Sequence, residues 1–210
     1  MKKTILVTGS KGFVGSNLVT YLLERTDFNI ICIARSKMDL DKHQDRLISI
    51  EHDLTEKIPV TELEILQKVD YIVHLAGSSC VKTSYEQPLG TIVDNVSLTT
   101  NLLDFARKNI PDLKKFLVLS TAEVFGTSKD EYRFKEQDEH NPKSPYALTK
   151  SLIEQICHLY YDLYGVPIIV SNIMNIYGKN QKDNKFIPLV ARLIKNKETV
   201  SLHASEGPDK

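Results

Sequence analysis

A glycine-rich stretch close to the start of the chain constrains the fold more than any other feature. Residues 4–7 are a short run of mostly branched apolar side chains, which is typical of a buried parallel strand. Residues 8–15 carry glycines three apart, and residues 16–23 then show helical periodicity. In such a unit the helix dipole and backbone N–H groups face an anion, and glycines let it approach. The pattern predicts a pyrophosphate site; the alternative is a flexible turn. The predicted cofactor-binding residues of this site are Gly9, Ser10, Gly12, Phe13, Val14 and Gly15.

Further short apolar runs alternate with helical patterns along the rest of the chain. The runs predict strands at residues 29–34, 47–50, 69–77, 115–119 and 166–170. The longer amphipathic patterns predict helices at residues 91–105, 146–164 and 187–195. This alternation predicts an α/β fold with a doubly wound parallel sheet, the Rossmann fold, flanked by helices on both faces.

The end of the second predicted strand is where dinucleotide folds distinguish NAD from NADP. An acidic residue there would favour NAD, but the sequence has Arg35, whose planar guanidinium suits a 2′-phosphate. We expect NADP or NAD as the cofactor, with NADP slightly favoured; the alternative is an ordinary solvated arginine. After the third strand, Asp53 can accept a hydrogen bond from an adenine amine or cap the next segment. Leu54 is assigned to the same cofactor-binding group.

The fourth and fifth predicted strands end in residues suited to the other half of a dinucleotide. Leu75, Ala76 and Gly77 end the fourth strand, where small residues let a ligand lie close to the backbone. His74 precedes them, and we interpret it as a hydrogen-bonded structural residue. The fifth strand ends in hydroxyls and a carboxylate, which lie where ligands bind in parallel sheets unless they serve ordinary turn chemistry: Ser120, Thr121 and Glu123.

Tyr146 and Lys150 lie at the start of a predicted helix that follows two prolines. They are four residues apart and therefore stand on one face of that helix, one above the other. A free phenol titrates near ~10, and an ammonium one turn away favours the phenolate and so lowers the pKa. The pair can act as a proton-transfer device. The alternative is a buried Tyr with a solvated Lys beside it.

Composition excludes several classes of function. Lys plus Arg equals Asp plus Glu at 27 each, so no net charge favours nucleic acid or an acidic membrane. The apolar run after Met1 is broken too early for a signal peptide, and no segment approaches the ~20 apolar residues of a membrane span. The three cysteines show neither metal nor disulfide spacing, so reduced thiols are expected. We therefore predict a cytoplasmic location and no metal, nucleic-acid or membrane partner.

The motifs in this order resemble the extended short-chain dehydrogenase/reductase family, in its nucleotide-sugar epimerase/dehydratase branch. Six segments carry the resemblance: residues 8–15 (TGxxGFxG), 74–77 (HLAA, with Gly77 for the last Ala), 94–96 (DNV), 120–126 (the S-S/T-x-E-V-Y-G segment, with Phe125 for Tyr), 146–150 (YxxxK) and 175–178 (NVYG). The resemblance covers residues 4–180 and implies an NAD(P)-dependent enzyme that acts on a nucleoside-diphosphate sugar.

The resemblance also implies a role for each residue near the active site. Tyr146 would be the acid/base that moves a sugar hydroxyl proton during hydride transfer, and Lys150 would bind the nicotinamide ribose and tune Tyr146. Thr121 would hold the sugar O4 beside Tyr146. Asn95 would support the site through a structural hydrogen bond. Glu123 matches a carboxylate that dehydratases and a decarboxylase of the family use after the initial oxidation.

The sequence departs from the family pattern in three places. Ala122 stands where one dehydratase subgroup has an Asp acid, and Asn172 stands where many members have an Arg. Family members also continue into a small substrate-binding lobe, which is largely missing here. We therefore divide the chain into a Rossmann domain at residues 1–180 and the start of a substrate-binding region at residues 181–210. We expect a truncated chain rather than a naturally short one.

Three functions remain open from these residues. The first is epimerisation or dehydration of a nucleoside-diphosphate sugar through transient oxidation at C4. The second is an NADPH-dependent 4-keto sugar reductase, which Arg35 would suit. The third is a dinucleotide-binding module without catalysis. A homodimer is also expected, because the helices near residues 92–108 and 146–164 carry extra apolar residues and family members pair these helices.

Overall fold

The computed structural model describes residues 2–38, 45–128, 132–183 and 185–201. The chain divides into two compact units, residues 1–174 and 175–210. The first unit holds the sheet and its covering helices, and the second holds one described helix. Within the described ranges no helix is both long enough and apolar enough to cross a membrane.

Six strands and six helices make up the described secondary structure. The strands are β1 (Thr4–Thr8), β2 (Asn29–Ala34), β3 (Leu47–Glu51), β4 (Tyr71–His74), β5 (Lys115–Thr121) and β6 (Ile168–Ile173). The helices are α1 (Phe13–Arg25), α2 (Leu63–Leu66), α3 (Val81–Glu86), α4 (Pro88–Asn109), α5 (Pro145–Tyr164) and α6 (Phe186–Lys195). Two 3-10 turns lie at Val60–Glu62 and Ala122–Phe125.

The strands form one fully parallel sheet in the order β3-β2-β1-β4-β5-β6. This confirms the predicted doubly wound fold. The strand order reverses between β1 and β4, which is where open α/β sheets bind their ligands, outside the carboxyl ends of the strands. Thr8 of β1 pairs with His74 of β4, and His74 pairs with Val118 of β5. The carboxyl ends of these three strands therefore meet at one edge of the sheet.

Apolar side chains alternate between the two faces of the sheet, and both faces are covered by helices. One face packs against α4 and α5 and contributes Leu6, Ile31, Ile72 and Phe116 to the larger core. The other face packs against α1 and contributes Ile5, Val7, Ile30 and Cys32 to a second core. Each such side chain contributes about 1.5–3 kcal/mol when fully buried. These two cores hold the strand ends in fixed positions.

The observed strand bounds differ from the predicted ones at the carboxyl ends. β4 ends at His74 instead of reaching residue 77, because the next two backbone N–H groups donate to the Thr8 hydroxyl and leave the sheet ladder. β5 and β6 extend further than predicted, and their pairing continues to Thr121 opposite Ile173. The short helices α2 and α3 carried no clear sequence signal, since each is under two turns long.

Candidate active site

The turn between β1 and α1 forms an anion-binding cradle. Gly9 has a φ of 65°, and a Cβ there would lie 2.7 Å from the backbone N of Ala76, so only glycine fits. Gly12 is the N-cap of α1, and in the described part of the chain no side chain caps that helix. The N–H groups of its first turn therefore have no side-chain acceptor and could bind an anion. The predicted residues Phe13, Val14 and Gly15 form this first turn.

A second basic side chain joins Arg35 at the end of β2. Lys11, from the glycine turn, donates a hydrogen bond of 2.8 Å to Ser36 Oγ and one of 3.1 Å to the Lys37 carbonyl. Arg35 is exposed next to Ser36. The sequence did not single out Lys11, because a lysine within a glycine turn has no periodic signal. The structure thus brings two cations from different segments to the edge where a 2′-phosphate would lie.

Asp53 and Leu54 lie just beyond β3. The Asp53 carboxylate accepts hydrogen bonds of 3.0 Å and 2.9 Å from the N–H and hydroxyl of Thr55. These hydrogen bonds lower the pKa of Asp53, and the charge of Arg35 adds to the effect. Leu54 is buried in the larger core. Local turn formation by Asp53 is therefore observed, and its contact with adenine stays a prediction.

A buried hydrogen-bond chain runs through His74. The Thr8 hydroxyl accepts from the N–H groups of Leu75 and Ala76, so its own proton donates to His74 Nδ1 at 2.8 Å. On the other side, His74 Nε2 lies 3.1 Å from the Thr99 hydroxyl, which donates to a backbone carbonyl. This arrangement assigns a neutral ring with its proton on Nε2. Burial, together with the charge of Lys150, lowers the pKa of His74 to about 3. The ring therefore has the structural role that was predicted.

Asn95 of α4 fixes the segment after β4. Its Oδ1 accepts a hydrogen bond of 2.7 Å from the Ser78 N–H, and its Nδ2 donates one of 3.2 Å to the Ser78 carbonyl. A Cβ on Gly77 would lie 3.0 Å from the same Oδ1. Asn95 is itself almost fully buried. It therefore acts on the predicted ligand-binding loop through structural hydrogen bonds to the backbone.

Local capping places Tyr146 at the site. Ser144 is the N-cap of α5 and accepts from the Ala147 N–H at 3.0 Å, Pro145 is the first helical residue, and Gly165 ends the helix with a φ of 66°. Tyr146 is therefore in the first turn, facing the 3-10 turn that follows β5. The prolines and the glycine were the signals from which this helix was predicted.

The phenol of Tyr146 is buried beside Thr121 and Glu123. Burial raises the pKa of Tyr146 and the negative charge of Glu123 raises it further, whereas a hydrogen bond with Thr121 lowers it. The net direction is upward, so the predicted lowering was wrong for this structure. Lys150 is not among the groups that shift the pKa of Tyr146, and its ammonium donates to the Leu119 carbonyl at 2.8 Å. Burial also lowers the pKa of Lys150 to about 8, so that its side chain is still mostly an ammonium at pH 7.

A buried carboxylate that the sequence analysis missed lies one turn beyond Lys150. Glu154 accepts a hydrogen bond from the Ser120 hydroxyl and one of 2.8 Å from Asn172 Nδ2. Its second oxygen lies 3.5 Å from His140 Nε2. A charged residue within the apolar stripe of α5 was the available signal. Ser120, predicted to bind the cofactor, is thus tied to the helix beneath the site.

The predicted residues fall into three groups along the carboxyl edge of the sheet. Arg35 and Asp53 lie at the β2–β3 end, the glycine turn and residues 75–77 lie at the centre, and Thr121, Glu123, Tyr146 and Lys150 cluster at β5. Three predicted residues are buried away from this edge: Leu54 lies in the larger core, Ser120 donates to Glu154, and Ser10 is fully buried with its hydroxyl beside the Cys32 thiol. The arrangement can hold an extended anionic ligand with one end at the phenol.

The cradle fits a dinucleotide on the evidence of its own geometry. Side chains at Gly9 and Gly15 would overlap backbone atoms, so these glycines let the turn pack closely against residues 75–76 and against the start of α1, whose first-turn N–H groups have no side-chain cap. Lys11 and Arg35 lie at the β2 end of the sheet edge that carries this turn, and Tyr146 and Lys150 lie at the β5 end. A pyrophosphate at the first turn of α1 would therefore place its two nucleosides over the β2 end and the β5 end.

A family model and many known proteins match this chain. The model of the NAD dependent epimerase/dehydratase family matches residues 5–207. A dTDP-glucose 4,6-dehydratase from Haemophilus influenzae is 32% identical over 203 residues, which cover 89% of this chain and 60% of the relative. The chain thus spans about three fifths of the length of that relative.

Two solved structures share the fold. A UDP-N-acetylglucosamine 4-epimerase from Methanobrevibacter ruminantium, in complex with UDP-N-acetylmuramic acid, superposes with a TM-score of 0.84 at 27% identity, covering 98% of this chain and 67% of that one. A UDP-glucuronic acid 4-epimerase from Bacillus cereus, in complex with UDP-glucuronic acid and NAD, gives a TM-score of 0.81 at 25% identity and covers 93% and 64%.

Proposed function

The chain belongs to the NAD dependent epimerase/dehydratase family, and from this premise we propose that it epimerises or dehydrates a nucleoside-diphosphate sugar through transient oxidation at C4. The observation that carries the proposal is the cluster of Thr121, Tyr146 and Lys150 at the carboxyl edge that also holds the glycine turn. Phosphate-binding and proton-transfer groups on one edge are what a dinucleotide-dependent oxidation of a hydroxyl requires.

Each residue of the cluster has a role that follows from its contacts. Tyr146, as the phenolate, takes the proton of the C4 hydroxyl and later returns it as the phenol. Because burial and Glu123 raise the pKa of Tyr146, this step requires positive charge beside the phenol, which Lys150 and an oxidised nicotinamide would supply. Thr121 hydrogen-bonds the same oxygen, since its side chain already reaches the phenol. Lys150, fixed by the Leu119 carbonyl, holds the ribose next to the reacting atoms. When bound, the nicotinamide supplies hydride acceptance and return.

Glu123 distinguishes the two reactions within this proposal. It is exposed, and its charge acts on Tyr146. A dehydratase needs an acid or base beyond the phenol after the oxidation, whereas an epimerase does not, so Glu123 favours dehydration. Ala122 argues against the dehydratase subgroup that uses an Asp at that position. Both reactions therefore stay within the proposal.

One observation bears on the choice between NADP and NAD as the cofactor. Lys11 and Arg35 come from two segments to the end of β2, where a 2′-phosphate would need them. We therefore favour NADP over NAD, and a 4-keto sugar reductase is the second candidate function. The relative from Bacillus cereus was solved with NAD, so this preference would set the present chain apart from it.

Turnover tests the proposal directly. Conversion of a panel of nucleoside-diphosphate sugars should be measured by product analysis for the wild type, Tyr146→Phe and Glu123→Gln. We expect Tyr146→Phe to lower kcat by about 10²–10⁴-fold, because it removes the acid/base. If Glu123→Gln no longer forms a dehydrated product, the result supports dehydration. If Glu123→Gln keeps full activity, the result supports epimerisation. The proposal is wrong if no sugar is converted, or if Tyr146→Phe converts it at the wild-type rate.

The affinity ratio of NADP to NAD tests the cofactor preference. We expect Arg35→Ala and Lys11→Met each to lower this ratio by about tenfold, since each removes a charge-assisted contact with the 2′-phosphate and leaves the rest of the cradle intact. Arg25→Ala is the matched control, because Arg25 is exposed at the far end of α1. A ratio unchanged by both variants would remove the two residues from the site.

The compartment and the assembly are part of the same proposal. Cys32 and Cys157 are buried free thiols, and burial raises the pKa of each well above its ordinary value, so both are chemically inert. This supports a structural role for both thiols, and a cytoplasmic location stays a proposal from the sequence. A homodimer through α4 and α5 is proposed from the apolar residues that these two helices leave exposed.

A further inference from the structure

Glu154 is a buried carboxylate that no step of the proposed reaction uses. It lies on α5, one turn beyond Lys150 and two turns beyond Tyr146, and only 5% of it is exposed. Burying a carboxylate costs several kcal/mol unless hydrogen bonds and opposite charges compensate. A charge in this position therefore needs an explanation from its surroundings.

Hydrogen bonds connect Glu154 to the ends of two strands. Its Oε1 accepts from the Ser120 hydroxyl of β5 and, at 2.8 Å, from Asn172 Nδ2 of β6. The same Asn172 nitrogen lies 3.5 Å from the Thr121 carbonyl. Glu154 thus ties the segment that carries Thr121 to the helix that carries Tyr146 and Lys150. Movement of either element would break these hydrogen bonds.

A histidine and a lysine lie close to Glu154 in the site. His140, from the segment before α5, lies 3.5 Å from Oε2 and is itself held by Ser151 Oγ at 2.9 Å. Lys150 lies one turn back on α5, and its charge is stabilised by Glu154. From the sheet, β6 offers only the neutral Asn172 to this carboxylate. The counter-charge therefore comes from the helix and the preceding segment.

Two other titratable groups surround this pair. The Cys157 thiol, on the next turn of α5, has its pKa raised to about 12 by burial and by the charge of Glu154. His74 of β4 is neutral and feels the charge of Lys150. Neither carries a charge near neutral pH. Near neutral pH, the pKa of Lys150 is therefore governed by two opposing effects: burial lowers it, and Glu154 raises it.

We propose that Glu154 is a positioning residue for the reaction, anchoring the Ser120–Thr121 segment against α5 and placing a buried carboxylate one helical turn from the Lys150 side chain. This inference rests on the proposed function, because its importance depends on the roles of Thr121 and Lys150. Burial lowers the pKa of Lys150, and Cys157 and Glu154 oppose that effect. Because burial keeps Cys157 a neutral thiol near neutral pH, Glu154 is the one of the two that can act through a negative charge. Removing the Glu154 charge must therefore lower the pKa of Lys150 further.

The experiment is a titration of Lys150 by NMR in the cofactor-free chain. Isotope-labelled lysine reports the side-chain ammonium, and Lys150→Met assigns its signal. Glu154→Gln keeps the shape and the hydrogen-bond acceptor but removes the charge. We expect it to shift the titration of Lys150 downwards by about one unit, the size that a nearby opposite charge produces. Asp162→Asn, an exposed site on the same helix, should leave the titration unchanged.

An unchanged Lys150 titration in folded Glu154→Gln overturns the inference and leaves the Tyr146 result untouched. Conversely, an absence of turnover in the wild type rejects the proposed function, while the titration can still be read. If Glu154→Gln does not fold, the double variant Lys150→Met/Glu154→Gln supplies the test. It should recover folding, because both buried charges are gone; a double variant as unstable as the single one also overturns the inference.

Discussion

Tyr146 shows how burial can outweigh a nearby charge. Its phenol is almost fully buried, and the pKa is raised by burial and by Glu123. The Lys150 ammonium, one turn away, donates a hydrogen bond to the Leu119 carbonyl, and burial lowers its pKa. The phenol is therefore protonated at neutral pH in this structure. Helical spacing alone predicted the opposite direction, because it contains no information on desolvation.

His74 should make the stability of the protein depend on pH. Its folded pKa of about 3 lies below the ordinary value of 6.5, so stability is fully present above pH 6.5 and is lost as the pH falls towards 3. Between about pH 8 and about pH 5 we expect a loss of about 2 kcal/mol of unfolding free energy from this group. Urea unfolding of the wild type and of His74→Gln measures it.

The control for this prediction is His158→Gln, because His158 is exposed on α5. His158→Gln should retain the wild-type dependence, whereas His74→Gln should lose about 2 kcal/mol of it. Other groups that titrate in this range contribute equally to both variants. Equal pH dependence in the wild type and His74→Gln would show that the ring is not kept neutral by the fold.

The β1–α1 unit is sensitive to any side chain in its turn. A Cβ on Gly15 would overlap the Gly9 carbonyl and lie 2.7 Å from Ser10 Cα. We expect Gly15→Ala to destabilise the fold by about 1–3 kcal/mol, because the backbone must move apart. We also expect it to weaken NAD binding by about tenfold or more, since the first-turn N–H groups are displaced. Chemical unfolding and calorimetry measure the two effects.

Gly90 on α4 offers the matched control for the turn. Nothing lies within 4 Å of a Cβ placed there, so the substitution meets open space. Gly90→Ala should stabilise the protein by about 0.5–1 kcal/mol, the usual gain of alanine over glycine in a helix, and should leave NAD binding unchanged. If Gly15→Ala binds NAD as tightly as Gly90→Ala does, the turn is not the phosphate site.

The assembly of the molecule is predicted from α4 and α5, which pack on the same face of the sheet. Both helices leave large apolar side chains exposed on their outer surfaces, and a set of this size is typical of an interface: Leu89, Val93, Leu148, Leu152, Leu159 and Leu163. Pairing α4 and α5 of two copies would bury them. We expect a dimer by light scattering at tens of micromolar, and a shift towards monomer in Leu159→Glu.

Tyr21→Glu is the control for the dimer, because Tyr21 is an exposed aromatic residue on α1, on the other face of the sheet. It should leave the mass unchanged. A monomeric mass for the wild type would contradict the prediction, as would equal dimerisation of the wild type and Leu159→Glu. Either result would mean that the exposed apolar surface of α4 and α5 is covered by something other than a second copy.

Local patterns were sufficient for the six strands, the longer helices and the order of the motifs, but not for the short helices α2 and α3 or for the exact ends of the strands. The glycine spacing at residues 9–15, the branched runs of the strands, and Pro145 and Gly165 at the ends of α5 act over a few residues, where sterics and capping decide the conformation. For the same reason, the residues that cluster at β5 could be named from their positions after a strand or at the start of a helix.

Contacts between segments that are distant in the sequence determined which side chains meet at the site and what their protonation states are. Glu154 is buried only because β5, β6 and the segment with His140 meet around it, and Lys11 reaches Ser36 only because β1 and β2 are neighbours in the sheet. The neutral form of His74 and the raised pKa of Tyr146 likewise depend on desolvation by elements far apart in the chain. Protonation states follow the solvent and charges around a group, which arise only when the chain has folded.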